Sequence, residues 1–187
     1  MLLNSYDLTR GLSIGLGLLF GSVGPTLGML SYVLTAFALY TIARRRGIAH
    51  PWLAWIPVAD AWLLGSLSDQ YRYVVRGQEK RKRIILLVLY IVMSACGVVA
   101  VTFALVMMFG APAYGATGLL GCILIFLVLA AAAAVLHFMA LYDVYVSCDP
   151  ENAVLFLVLS IFFGITAPLF LFLCRNKDGG MPPRREA

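Results

Sequence analysis

An all-α, polytopic membrane protein with about four spanning helices is the architecture this sequence predicts. Three observations lead there. Hydrophobic residues make up 62% of the 187-residue chain and Asp, Glu, Lys and Arg together only 12%, about half the charge that a soluble domain carries. The apolar residues gather in runs of about 20 or more, the length a helix needs to cross roughly 30 Å of hydrocarbon. The basic residues stand beside those runs rather than within them. The length suits one membrane domain over 1–187, with no room for a separate soluble unit.

The first span is expected over about 12–43. Arg10 precedes an apolar run too long for the core of a cleavable signal, so the run reads as an uncleaved span. A continuous helix there would be about 45 Å long, and Gly24-Pro25 is the natural place for a kink. Ser13, Gly17, Gly21, Gly24, Gly28, Ser31 and Thr35 recur in steps of four and three. In lipid, such a stripe lets a second backbone approach closely. Gly17, Gly21, Gly24 and Gly28 are therefore a candidate helix-packing face. Its partner is another helix of the same subunit, a second copy, or, as a lesser alternative, the lumen of a pore.

The stretch 47–83 carries all three tryptophans and six of the fourteen Lys and Arg residues. It is too polar for an ordinary span and too apolar for an ordinary loop. Taken as a helix over about 50–76, it gathers Trp52, Trp55, Ile56, Ala59, Trp62 and Leu63 on one side and His50, Ser68, Asp69, Arg72 and Arg76 on the other. Pro51 suits a first helical position, and Pro57 predicts a bend between two pieces. An interfacial amphipathic element with its indoles at the headgroup boundary is the expectation. A short re-entrant dip is the alternative. Trp52, Trp55, Asp60 and Trp62 form the candidate interaction surface.

Two further spans follow, over about 84–109 and 118–146, joined by a short uncharged connection with Pro112 and Tyr114. The end of the second of these places Tyr142 and Tyr145 as headgroup-level aromatics. Asp149-Pro150 reads as a cap and first position for a last helix over about 151–174, weakened at its centre by Gly164, Thr166 and Pro168. The basic bias puts 44–83 in the cytoplasm. Counting full spans then leaves the C-terminal tail outside, against the same bias. Four spans are favoured, with a re-entrant last segment as the alternative.

His137 and Asp143 are the candidate intramembrane polar site, since an ionisable group in a span is costly and calls for a role or a partner. Six positions apart, they do not share a helix face. A satisfied structural histidine and an arginine-paired aspartate are the ordinary readings, against a proton or ion pathway. Asp60 reaches Arg72 or Arg76 only if its element folds back. Cys96, Cys122, Cys148 and Cys174 lack paired spacing and read as small packing residues, with a Cys122–Cys174 disulfide left open. No phosphate loop, HExxH, GxSxG or acidic cluster is present, so no enzyme activity, cofactor or metal is expected. The net charge of +5 does not point to nucleic acid. Arg44, Arg45, Arg46, Lys80, Arg81, Lys82 and Arg83 stand beside apolar runs, where they orient the chain and meet anionic headgroups.

The run RRRGIAHPWLAWIPVADAWLLGSLSDQYRYVVRGQEKRKR, with DPENAVLFLVLSIF and RNKDGGMPPR, resembles an uncharacterised family of small multi-pass membrane proteins of Gram-positive bacteria. The three pieces cover about a third of the chain, and the resemblance implies a bacterial plasma-membrane location with no assigned chemistry. The functional expectation is a non-enzymatic accessory, assembly or oligomeric scaffold subunit acting through helix packing and membrane-surface contacts. Its partner would be a second copy or another membrane protein. A small channel or transporter, with broken spans lining a cavity, is the alternative.

Overall fold

The computed structural model describes residues 5–78, 81–109 and 112–182, and for 5–24 and 112–115 the helical backbone alone. The elements are α1 (Ser5–Arg45), a 3-10 helix (Pro51–Trp55), α2 (Ala59–Arg76), α3 (Lys82–Phe109), α4 (Pro112–Cys148), α5 (Ala153–Phe162) and α6 (Thr166–Cys174). There is no strand among the described residues. Three helices are long and apolar enough to cross a membrane, over Pro25–Arg45, Lys82–Phe109 and Ala116–Cys148. Pro25 lies inside α1 without ending it.

α3 and α4 form a long antiparallel hairpin. Phe103 lies over Gly118, where any Cβ would collide with its ring. At the other end of the hairpin α2 packs into the same pair. Gly65 sits so close to the backbone of Lys82 and Arg83 that an added Cβ would come within 2.5 Å of Arg83 Cα. Side chains at Leu63, Leu67, Leu86, Leu141, Val144 and Tyr145 close the core there, joined by Leu39 and Ile42 of α1.

The expected fourth span does not cross. α5 and α6 hold 10 and 9 residues, roughly 15 Å each, about half of what a crossing needs. Phe163 to Ile165 reverse the chain between them, and both outer ends return to one end of the molecule. Gly179 N–H donates to Cys148 O (3.0 Å) and Gly180 N–H to Ser147 O (3.1 Å), tying the chain after α6 to the end of α4. The break is physical: Gly164 and Pro168 both disfavour a continuous helix, and Thr166 Oγ1 satisfies Phe163 O (2.7 Å) at the turn. Tyr145 pins the two arms, sharing a hydrogen bond with Ser160 of α5 (3.0 Å) and donating to Ala167 O of α6 (3.3 Å). It is fully buried, not a headgroup-level ring. Asp149 accepts from Asn152 Nδ2 (3.3 Å) just ahead of α5 and also from Lys177 Nζ (2.9 Å).

The segment expected to lie in the interface also folds inward. Tyr32 Oη donates to Trp55 O at 2.7 Å, and Tyr32 lies roughly 20 Å along α1 from Arg45. The chain therefore descends beside α1 through the 3-10 helix, reverses at Pro57-Val58, and returns as α2. Two hairpins thus enter the bundle from one end. The described Lys and Arg residues from Arg44 onward all lie at that end, called here the basic end. Among the described residues α1 packs on the 3-10 helix, α2 and α6, but not on α3 or α4, and its stretch 25–30 is exposed.

Candidate functional site

Burying charge among apolar helices is expensive unless each charge finds its opposite. At the basic end Asp143 of α4 is 1% exposed and accepts from three side chains. Its Oδ2 takes Ser68 Oγ (2.5 Å), Arg72 Nε (2.7 Å) and Lys82 Nζ (2.8 Å), and Oδ1 takes Arg72 Nη2 (3.2 Å). Between Ser68 and Arg72 on α2, Asp69 accepts the backbone N–H groups of Lys82 (3.0 Å) and Arg83 (3.1 Å). Asp69 thereby satisfies orphan donors at the start of α3 from a separate helix. Partial burial nonetheless pushes its carboxyl above the usual range. Two cations and two carboxylates balance, and they lock α2, α3 and α4 together.

The ion pair expected for Asp143 is present, and its partners are Arg72 and Lys82. Lys82, expected to meet headgroups, is instead buried on that carboxylate, its side chain 7% exposed. His137 belongs to a different place. Its Nδ1 lies 3.2 Å from Tyr90 Oη, so when the phenol donates, the ring proton sits on Nε2. Tyr90 lies roughly 12 Å down α3 from Lys82, and His137 roughly 9 Å down α4 from Asp143.

Asp60 comes to the same level from the turn of the first hairpin. It is the second residue of α2, and its Oδ1 accepts the Ala61 N–H at 2.8 Å. It pairs with neither Arg72 nor Arg76, which stand roughly 18 Å or more up the same helix, and among the described residues no cation lies within ion-pair distance. Two residues before it, at the start of α2, Val58 adopts φ 75°, a conformation strained for a β-branched side chain.

These groups surround one cavity of about 210 Å³. Asp60, Tyr90, His137 and Thr35 supply its polar lining, and Leu39, Leu64, Leu141 and Leu171 the apolar part. Gly164, Ala167 and Pro168 close it from the turn of the second hairpin. The cavity thus lies where the tips of both hairpins meet the spans. A carboxyl, an imidazole and a phenol around a small space can bind water, a proton or a small polar solute. Among the described residues no three His, Cys, Asp or Glu side chains are grouped to hold a metal ion.

Trp52, Trp55 and Trp62 do not form one face. Trp52 and Trp55 lie on the 3-10 helix and are exposed, whereas Trp62 belongs to α2 and packs against the core. The reversal at Pro57-Val58 resets the helical phase between them. Of the proposed glycine face, Gly17, Gly21 and Gly24 lie outside the residues whose surroundings are described, and Gly28 is exposed with open space around it. The four cysteines are free, and Cys122 and Cys174 belong to opposite ends of the bundle, which removes the disulfide. Tyr90 was missed by sequence reasoning, because a single tyrosine in an apolar run carries no signal until His137 is opposite it. No protein-family model, curated protein or solved structure matches the chain.

Proposed function

We propose that this chain is a non-enzymatic bacterial plasma-membrane protein of the channel or transporter class, with the Asp60–Tyr90–His137 cavity as its solute or proton site. Its basic end faces the cytoplasm in this reading, in keeping with the positive-inside bias. The observation that carries it is the meeting of two broken hairpins at a polar cavity within the apolar length of the spans, roughly 12 Å down α3 from Lys82. Irregular backbone is tolerated at membrane depth where it is buried in protein or lines a water-filled space. Broken helices whose tips meet at mid-membrane are how many transporters build such a space. A carboxyl that meets no cation there has a high cost and no packing purpose. About 210 Å³ holds several waters or one small solute.

The test is flux into liposomes containing the purified protein, read with a trapped pH dye and with alkali-cation indicators. Wild-type protein is expected to raise the proton or cation flux well above that of empty liposomes. Asp60→Asn is expected to lower it at least roughly tenfold without moving the thermal midpoint. Equal flux from loaded and empty liposomes for every ion and small solute tried would remove this reading.

A second reading, an assembly or scaffold subunit, draws on α1. Its described stretch 25–30 is exposed, and Gly28 leaves room there for a neighbouring backbone. Crosslinking from a cysteine placed at Gly28 would yield a covalent homodimer, or a product with another membrane protein, if that face is occupied.

A further inference from the structure

A groove of about 1230 Å³ opens at the basic end between α1, the end of α2 and the chain after α6. Its walls change character with depth. Phe37, Tyr40 and Thr41 line the part that follows α1 downward, and Arg44, Arg45 and Arg46 line the upper rim. Phe37 lies roughly 10 Å below Arg44 along the helix. Val74 and Met181 form the facing apolar wall.

The rim has excess positive charge. Asp178 answers two of the arginines, at 2.8 Å from Arg45 and 3.0 Å from Arg46, while Arg44 has no ion-pair partner among the described residues. Arg175 adds a further cation against the same wall, its guanidinium 3.5 Å from the Phe172 ring centroid and 5.4 Å from that of Phe37. Three buried side-chain polar atoms lack a hydrogen-bond partner among the described residues: Arg46 Nη1, Arg175 Nη1 and Gln70 Oε1. All three belong to side chains that line or flank this groove. Two are guanidinium donors, which call for an acceptor, preferably an anionic one.

We infer that the groove is a binding site for one anionic glycerophospholipid, its phosphate at the Arg44–Arg46 rim and an acyl chain along Phe37, Tyr40 and Val74. A cationic rim above an apolar wall matches the polarity profile of a lipid, whereas a free phosphate would leave the wall empty. This site does not depend on the cavity at Asp60, and either reading can fail without the other.

Native mass spectrometry of the protein released from mixed micelles of phosphatidylglycerol and phosphatidylcholine tests it. Wild-type protein is expected to retain one phosphatidylglycerol in preference to phosphatidylcholine. Arg44→Gln/Arg45→Gln should lose that preference by roughly tenfold or more, at about 1 kcal/mol for each cation near an anionic surface. Arg76→Gln/Arg81→Gln removes the same charge from outside the groove and should keep it. Thr41→Trp fills the groove without changing charge and should lose it. Thermal midpoints in phosphatidylcholine nanodiscs check that each variant is folded. Equal loss in both arginine pairs would mean a general surface-charge effect and overturn the site. So would retention in Thr41→Trp, or displacement of the lipid by millimolar inorganic phosphate.

Discussion

Asp143 holds two buried cations with one carboxylate, so its removal does more than delete a contact. Asp143→Asn leaves Arg72 and Lys82 facing each other with only Asp69 nearby, and a cost of about 3–5 kcal/mol is expected. Denaturant unfolding in detergent measures it. Adding Lys82→Met to Asp143→Asn should recover part of the loss, because one uncompensated charge goes with the lysine; a loss that instead adds would mean the two do not interact. Val58 offers the opposite sign. At φ 75° a valine is strained and a glycine is not, so Val58→Gly should stabilise by about 1 kcal/mol. Its effect on flux would show whether that strain serves the cavity. Asp143 was legible from its sequence position as a residue needing an arginine. Which arginine, and the second cation, depended on α2 folding inward.

At the scale of elements, α2 is held by close backbone approach. Gly65→Ala drives a methyl into the backbone of Arg83, which has no side-chain freedom with which to yield, and should cost about 1–3 kcal/mol. Gly28→Ala meets open space and should be neutral or favourable by up to about 1 kcal/mol. Thermal midpoints of the two variants make the comparison, and equal values would argue against the α2–α3 contact. The chain after α6 is held partly by Lys177 on Asp149. The Lys177 ammonium keeps the Asp149 carboxyl below the usual range, and Asp149 keeps Lys177 above its own. A depressed carboxyl stabilises above its unfolded value of about 3.9 and loses that contribution as pH falls through the folded one. The raised lysine contributes fully below about 10.4 and loses its share as pH rises further. Protease access to 175–182 should therefore be lowest between these limits and increase below about pH 4. The reach of sequence reasoning is clearest in 50–76. A wheel drawn through Pro57 put Trp52, Trp55 and Trp62 in phase, but the reversal there breaks the phase. Leu63, Leu64 and Leu67 beside Ser68 and Arg72 suit a core with an internal ion lock as well as they suit a lipid surface.

For the whole molecule, the turn between α5 and α6 decides where the tail lies. With three crossings in place of four, the chain after α6 returns to the basic end, which removes the conflict between the expected topology and the placement of Arg175 and Lys177. A cysteine placed at Asn176 and one at Gln78 should behave alike toward an impermeant thiol reagent, protected in intact cells and labelled after permeabilisation. Opposite behaviour would restore a fourth crossing. The three spans were legible because apolar length is a local property. The two hairpins were not, because a half-crossing of about 10 apolar residues is distinguished from half of a full one only by what the rest of the fold packs against it. Their common point of entry also gives the molecule unequal ends. Sections of every described helix occupy the basic half, and only α1, α3 and α4 continue to the other. Set across a bilayer, such a shape would displace more lipid from one leaflet than from its opposite, and membranes that bend toward the narrower end would relieve the mismatch in area.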